Sequence, residues 1–158
     1  MTQEYEPLKK TMEVPCSQRD AFIVFIDEMQ TWWPLERFSA SAKLGKAAKS
    51  LRVQPWAGGK ILEESEDGAE HLWGTIHAYD RFDRVTMDFH IGLPPETASF
   101  VEVRFISLGE EQTRVELTQT GWERFGEFAE AMYNGYPKGW GAALDAFVTT
   151  CATLGGGR

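Results

Sequence analysis

Between Phe125 and Leu154 the large apolar residues are Phe128, Met132, Tyr136, Trp140, Leu144, Phe147, Cys151 and Leu154, spaced 4, 4, 4, 4, 3, 4 and 3 positions apart. That spacing is the period of one face of an α-helix. Glu127, Glu130, Lys138 and Asp145 fall on the other side, so a long helix lying on a sheet is expected. Pro137 removes a backbone donor and should kink or split it. Gly135, Gly139 and Gly141 stand around Tyr136 and Trp140. A helix that only sealed a core would gain nothing from losing volume beside its largest rings, whereas one roofing a cavity would.

The remaining chain supplies the sheet. Leu8, Met12 and Val14 alternate with Lys9, Thr11 and Glu13, which predicts a half-buried strand over 8–14, closed by Pro15. Ser17 and Asp20 resemble a capping box. Ala21, Phe22, Phe25, Ile26, Met29 and Trp33 then share a face, so a helix should run to Trp32-Trp33 and stop before Pro34. Residues 39–50 carry Lys43, Lys46 and Lys49 and only Leu44 as a large apolar residue. They read as a mobile, solvated connection with one short helical turn, the functional alternative being a lid or an anion-attracting rim.

A meander follows: 51–56, the turn Ala57-Gly58-Gly59, then 60–65, Glu66-Asp67-Gly68, and 71–79. In 71–79 both faces are partly apolar, and alternation does not say which points inward. Val85, Met87, Phe89 and Ile91 share a face of 84–91, and Leu93-Pro94-Pro95 interrupts the chain after it. A hairpin joins 99–108 to 113–120, where Val115, Leu117 and Gln119 lie together. Strand, helix, about six antiparallel strands and a long helix make an α+β layer, its sheet curved around that helix. No repeat or long linker divides the chain, so one domain over 1–154 is expected, with 155–158 as a disordered tail.

The helix ending in WWP, then PWAGGKILEESEDGAEHLWGTIHAYDRFDRVTMDF, FVEVRFISLGEEQTRVELTQTGW and NGYPKGWGAALDAF, in that order, resemble a family homologous to activators of the heat-shock protein 90 ATPase. That family lies within the START-like, helix-grip superfamily. The resemblance spans roughly 9–147 and implies a seven-stranded antiparallel sheet wrapped around a C-terminal helix, with a cavity between them. Gly58-Gly59 falls on the family's hairpin turn, Glu63 on its following acidic position and Trp73-Gly74 on its Trp-Gly pair. Gly121-Trp122 matches the close of the last strand, and Gly139-Trp140 through Leu144 the core of the grip helix. Gln119 stands where many relatives carry His, and Pro137 is unusual in that helix. Members of the superfamily bind lipids, hormones or polyketides, and some are cyclases or hydrolases, so the fold does not choose among activities.

The residues themselves exclude several classes. A formal net charge of -8 argues against nucleic acid and anionic membrane as partners. No apolar run approaches the ~20 residues of a membrane span, and the polar start MTQEYEPLKK has no signal-peptide core. Cys16 and Cys151 are far apart in sequence and in no metal or redox spacing, which reads as two reduced, buried thiols in a cytoplasmic protein. His71 and His77 share a strand face but sit ~20 Å apart by strand rise, too far to hold one metal. With His90 they are expected at the surface or rim. No metal or cofactor is expected, and no nucleophile elbow or phosphate loop occurs.

Glu63 would titrate as an acid or base if it projected into an apolar cavity. Its alternative is an exposed or salt-bridged strand position. Gln119, on an inward face, needs partners that a ligand, the backbone or water could supply. Six Trp and ten Phe need either a large core to pack in or a cavity to line, and the glycines beside the rings on the roofing helix favour a lined pocket. Trp33, Glu63, Trp73, Met87, Phe89, Gln119, Tyr136, Trp140 and Phe147 are therefore the candidate ligand-lining residues, and no residue is assigned as catalytic. Three readings follow. The first is binding of a small hydrophobic or aromatic molecule, the second a chaperone-associated interaction module. The third, ranked below binding, is a cavity enzyme of cyclase or hydrolase type using Glu63 and Gln119.

Overall fold

The computed structural model describes residues 5–91 and 94–155. Its strands are β1 (Leu8–Val14), β2 (Ala48–Val53), β3 (Lys60–Ser65), β4 (Glu70–Asp80), β5 (Arg84–Phe89), β6 (Ser99–Gly109) and β7 (Gln112–Thr120). They form one antiparallel sheet in the order β1-β7-β6-β5-β4-β3-β2. Helices α1 (Gln18–Phe25) and α2 (Ala40–Lys43) lie in the connection from β1 to β2, and α3 (Ala129–Gly155) follows the sheet. Trp140, Leu144, Phe147 and Cys151 of α3 share one buried core with the inward residues of β5, β6 and β7. This is the helix-grip arrangement expected from the sequence. Met87, Val101 and Gln119 stand opposite one another across three adjacent strands, so Gln119 lies on the inward face.

Ser17 caps α1 as expected, its Oγ accepting from the Asp20 amide at 3.1 Å. The helix does not reach Trp33, however. It ends at Phe25, a 3₁₀ turn follows at Met29–Thr31, and the Trp32 indole donates to the Val24 carbonyl at 2.8 Å. Neighbours on a continuous helix point about 100° apart. Unwinding lets both Trp32 and Trp33 be buried.

The short helical turn expected within 39–50 is α2, but the start of the segment is not solvated. Ser39, Ala40 and Ser41 are buried, and β2 begins at Ala48 rather than 51. Only the later part behaves as a solvated segment, with Lys46 paired to Asp67 and Lys49 to Glu64.

The ambiguous faces of β4 have a physical cause. The register slips against β3 at Trp73 and against β5 at His77. Each bulge resets the alternation, so Trp73 and Ile76 are both buried and Tyr79 still packs on Phe22.

Three further expectations are corrected. Phe128 is 49% exposed, because Gly126 takes φ 61° and Trp122–Phe128 is a 3₁₀ segment out of phase with α3. Trp122, Phe125 and Ala129 fill that region instead, against Met132, Tyr133 and Tyr136. Pro137 does not split α3, which continues through it. His90 is buried rather than at the rim: the strand ends at Phe89 and the His90 amide turns in to the Trp73 carbonyl at 2.7 Å.

Cys16 and Cys151 are both buried and meet in space. Hydrogen bonding with Cys16, and burial, push the Cys151 thiol up from its ordinary range. The predicted tail lies outside the described residues from 156 onward, as does Leu93. No helix among the described residues is long and apolar enough to cross a membrane.

Candidate functional site

A cleft of about 170 Å³ opens beside α3. Met132, Gly135, Tyr136, Gly139 and Trp140 line it from the helix, and Trp33, Arg37, Phe38 and Ile91 line the rest. The glycines leave this room. A Cβ on Gly135 would meet nothing within 4 Å, and one on Gly139 would meet only the Phe38 ring, at 3.7 Å. Gly141 also has open space but does not line the cleft.

The lip opposite α3 is a tight loop begun by Pro34. Its carbonyl accepts the amides of Arg37 and Phe38 at 3.1 and 2.9 Å, and the Trp33 indole donates across the loop to the Phe38 carbonyl at 2.6 Å. Trp33 is thus fastened by its own nitrogen while its ring meets four others, one of them Trp32 at 5.7 Å. Ring centroids lie 5.3 Å away at Trp73, 5.5 Å at Trp140 and 6.2 Å at Phe89. Phe89 stacks on Trp140 at 5.9 Å. These rings lie behind the cleft, which is open at one side of α3.

Glu63 and Gln119 stand behind this wall. Glu63 has no exposed surface. Its Oε1 accepts from the Ala40 amide at 2.7 Å and the Trp73 indole at 2.7 Å, and its Oε2 from the Ser41 amide at 2.9 Å and the Ser41 hydroxyl. Burial pushes its carboxyl up, but the Ser41, Trp73 and Ala40 donors outweigh that and hold it below the ordinary 4.5. Glu63 therefore matches neither sequence reading. It is a buried, fully bonded carboxylate joining the start of α2 to Trp73.

Gln119 plays the matching part on the other side. Its Oε1 accepts from the Trp140 indole at 2.7 Å and its Nε2 donates to Ser99 Oγ at 2.8 Å. The partners left open by the sequence are protein groups. Replacing Gln119 with leucine strands the Trp140 indole, and a loss of about 2 kcal/mol is expected in urea unfolding. A neutral result would mean that the amide does not hold the indole.

The structure brings Trp33, Tyr136 and Trp140 to the cleft. Trp73, Phe89, Glu63 and Gln119 support those rings from behind. Met87 and Phe147 lie elsewhere in the core, Phe147 against Phe25 and Trp32. Glu63 and Gln119 are not brought together as a catalytic pair facing the open space. Arg37 and Phe38 went unnoticed because an irregular loop has no period, and the Pro34 turn was their one sequence signal. Tyr136 packs on Trp122 and Phe125, and burial pushes its phenol above the ordinary range. Among the described residues no group of three His, Cys, Asp or Glu is arranged to hold a metal.

Among solved structures, an anthrahydroquino-gamma-pyrone synthase, Txn09, is similar at 29% identity and a TM-score of 0.65, over 94% of this chain and 99% of that one. CalC from Micromonospora echinospora, described as a self-sacrificing resistance protein, is similar at 25% identity and a TM-score of 0.70, over 96% and 97%. A protein from Chromobacterium violaceum shares the fold at 15% identity and a TM-score of 0.65, over 92% and 96%. Comparison with curated proteins gives no match. Residues 16–152 match the family described as Activator of Hsp90 ATPase homolog 1-like protein, and the chain belongs to that family.

Proposed function

We propose that this protein binds a small, flat aromatic molecule in the cleft between the glycine face of α3 and the Trp33–Phe38 loop. The observation that carries the reading is the pairing of open glycines with fixed rings. Gly135 and Gly139 leave space where Trp33 and Trp140 are held by bonds to their own indole nitrogens. Pre-positioned rings bind a planar ligand without first losing side-chain freedom.

Size sharpens the reading. About 170 Å³ is close to the ~150 Å³ apolar cavity that takes up benzene, and below the ~300 Å³ at which drug-sized pockets begin. The cleft accommodates one or two rings and leaves the rest of a larger molecule outside. Txn09 is named as a synthase of a fused aromatic product, which is in keeping with a ring-binding site. A catalytic role for Glu63 and Gln119 is disfavoured, since their polar atoms already serve Trp73, Ser41, Ala40, Trp140 and Ser99. A chaperone contact rests on the family description alone.

Titration with naphthol, followed by NMR shifts of the Trp33 and Trp140 indole protons, tests the site. Saturable binding is expected, and Gly139→Leu, which fills the cleft, should weaken it at least about tenfold, the lost contact being worth ~1.4 kcal/mol or more. Gly141→Ala serves as the control and should leave binding unchanged while stabilising α3 by up to about 1 kcal/mol. Equal binding by wild type and Gly139→Leu would remove the cleft as the site.

A further inference from the structure

Arg37 is the one charged side chain among the nine that line the cleft. The other eight are apolar residues, glycines and the Tyr136 phenol, so no carboxylate lies in the cleft wall to neutralise it. Elsewhere arginines 52, 84, 104 and 114 are each paired with a carboxylate, whereas Arg37, like Arg19, Arg81 and Arg124, makes no ion pair among the described residues, and of these four it is the one that lines the cleft. This is so on a chain with 24 acidic against 16 basic residues.

The guanidinium is also positioned. It lies 4.9 Å over the ring of Phe38, itself a wall of the cleft. Stacking fixes the plane of an arginine while leaving its N–H edge free to donate to a planar anion. The loop under it is pinned by the Pro34 carbonyl and the Trp33 indole, so the charge stands at a set place beside the rings.

We propose that the ligand of this cleft is an aromatic molecule bearing one negative charge, a carboxylate or an acidic phenolate, whose ring lies between Trp140 and Phe38 and whose anionic group meets Arg37. This rests on the cleft being a ligand site, and adds the chemical class of what it selects. The volume agrees: about 170 Å³ holds the ring system and leaves the charged group at the mouth, where it keeps most of its hydration. The net charge of -8 repels anions in general, so the local arginine is what admits this one.

The test compares naphthoate with naphthamide, nearly equal in shape and different in charge, by calorimetric titration of the full chain. Naphthoate should bind about fivefold tighter, the range of a solvent-accessible charge pair. Raising the salt concentration should erode that preference and leave naphthamide binding unchanged. Arg37→Gln should abolish the preference, bringing naphthoate affinity down to that of naphthamide in the same variant. Arg37 is exposed, so the variant is expected to fold, and its melting curve checks this. Equal affinity for the two probes, or equal loss of both in Arg37→Gln, overturns the proposal and leaves the cleft as a neutral aromatic site. Failure of both probes and of naphthol to bind at millimolar concentration overturns the ligand-site reading, and this one with it.

Discussion

Replacing Glu63 with alanine is expected to destabilise the protein by about 3–5 kcal/mol, lowering Tm by roughly 10 °C in a chain of this length. The substitution strands four donors at once: the Ala40 and Ser41 amides, the Ser41 hydroxyl and the Trp73 indole. A buried donor without a partner costs about 1–3 kcal/mol, and the four are neighbours, so their losses do not simply add. Glu63→Gln is the sharper experiment because it preserves volume. One acceptor oxygen becomes an NH₂ group facing donors, and a loss of about 2 kcal/mol is expected. If Glu63→Gln unfolds at the wild-type urea midpoint, the carboxylate is not what joins α2 to Trp73.

The same residue makes stability depend on acid. Its carboxyl is held below 4.5 in the folded protein. The unfolded chain therefore takes up the proton first, and Glu63 contributes stability that is fully present above the unfolded value. That contribution is lost as pH falls through the lower, folded value. Wild type should lose stability in this acid range, and Glu63→Gln should lose correspondingly less across it. Parallel curves for the two proteins would contradict the assignment.

The second large effect is expected at Gly74. Here β4 crosses so close to β5 that a Cβ would lie 2.9 Å from the Asp88 carbonyl carbon and closer still to its oxygen. The obstacle is backbone in the middle of the sheet, which cannot swing aside as a side chain would. Gly74→Ala should therefore cost about 3 kcal/mol or more, at the upper end of overpacking effects. Gly109→Ala is the matched control, since a Cβ there meets nothing within 4 Å, and it should be near neutral. The disturbance should also reach the cleft. Gly74 adjoins Trp73, whose indole is bonded to Glu63 and whose ring packs on Trp33. Weaker naphthol binding at temperatures where the variant is still folded would report that coupling, and wild-type stability for Gly74→Ala would rule out the close approach.

Much of the architecture was legible in the chain. β1, β3, the Ser17 cap and the α3 face from Met132 to Cys151 were readable because each depends on local periodicity or on a side chain bonding within three residues. The helix-grip order followed from the succession of elements, and the family from motifs along almost the whole length. Legibility stopped where a distant contact overrode the local pattern. Trp32 and Trp33 unwound a helix to be buried together. Two bulges in β4 turned a readable alternation into an undecidable one, and Gly126 shifted Phe128 out of the α3 face.

The candidate site divides the same way. Gly135, Gly139, Tyr136 and Trp140 mark a roomy, ring-lined helix face by sequence alone, since residue size and helical spacing are local properties. Whether Glu63 and Gln119 face a ligand or hold the wall behind it is not local, because it depends on which donors the fold brings within 3 Å. The tertiary structure answered with the α2 amides, Ser41, Trp73, Ser99 and Trp140, and spent both polar residues on anchoring indoles. It also placed Arg37 and Phe38 across from the glycines, a pairing made by a loop about 100 residues away in sequence, beyond the reach of any periodic signal.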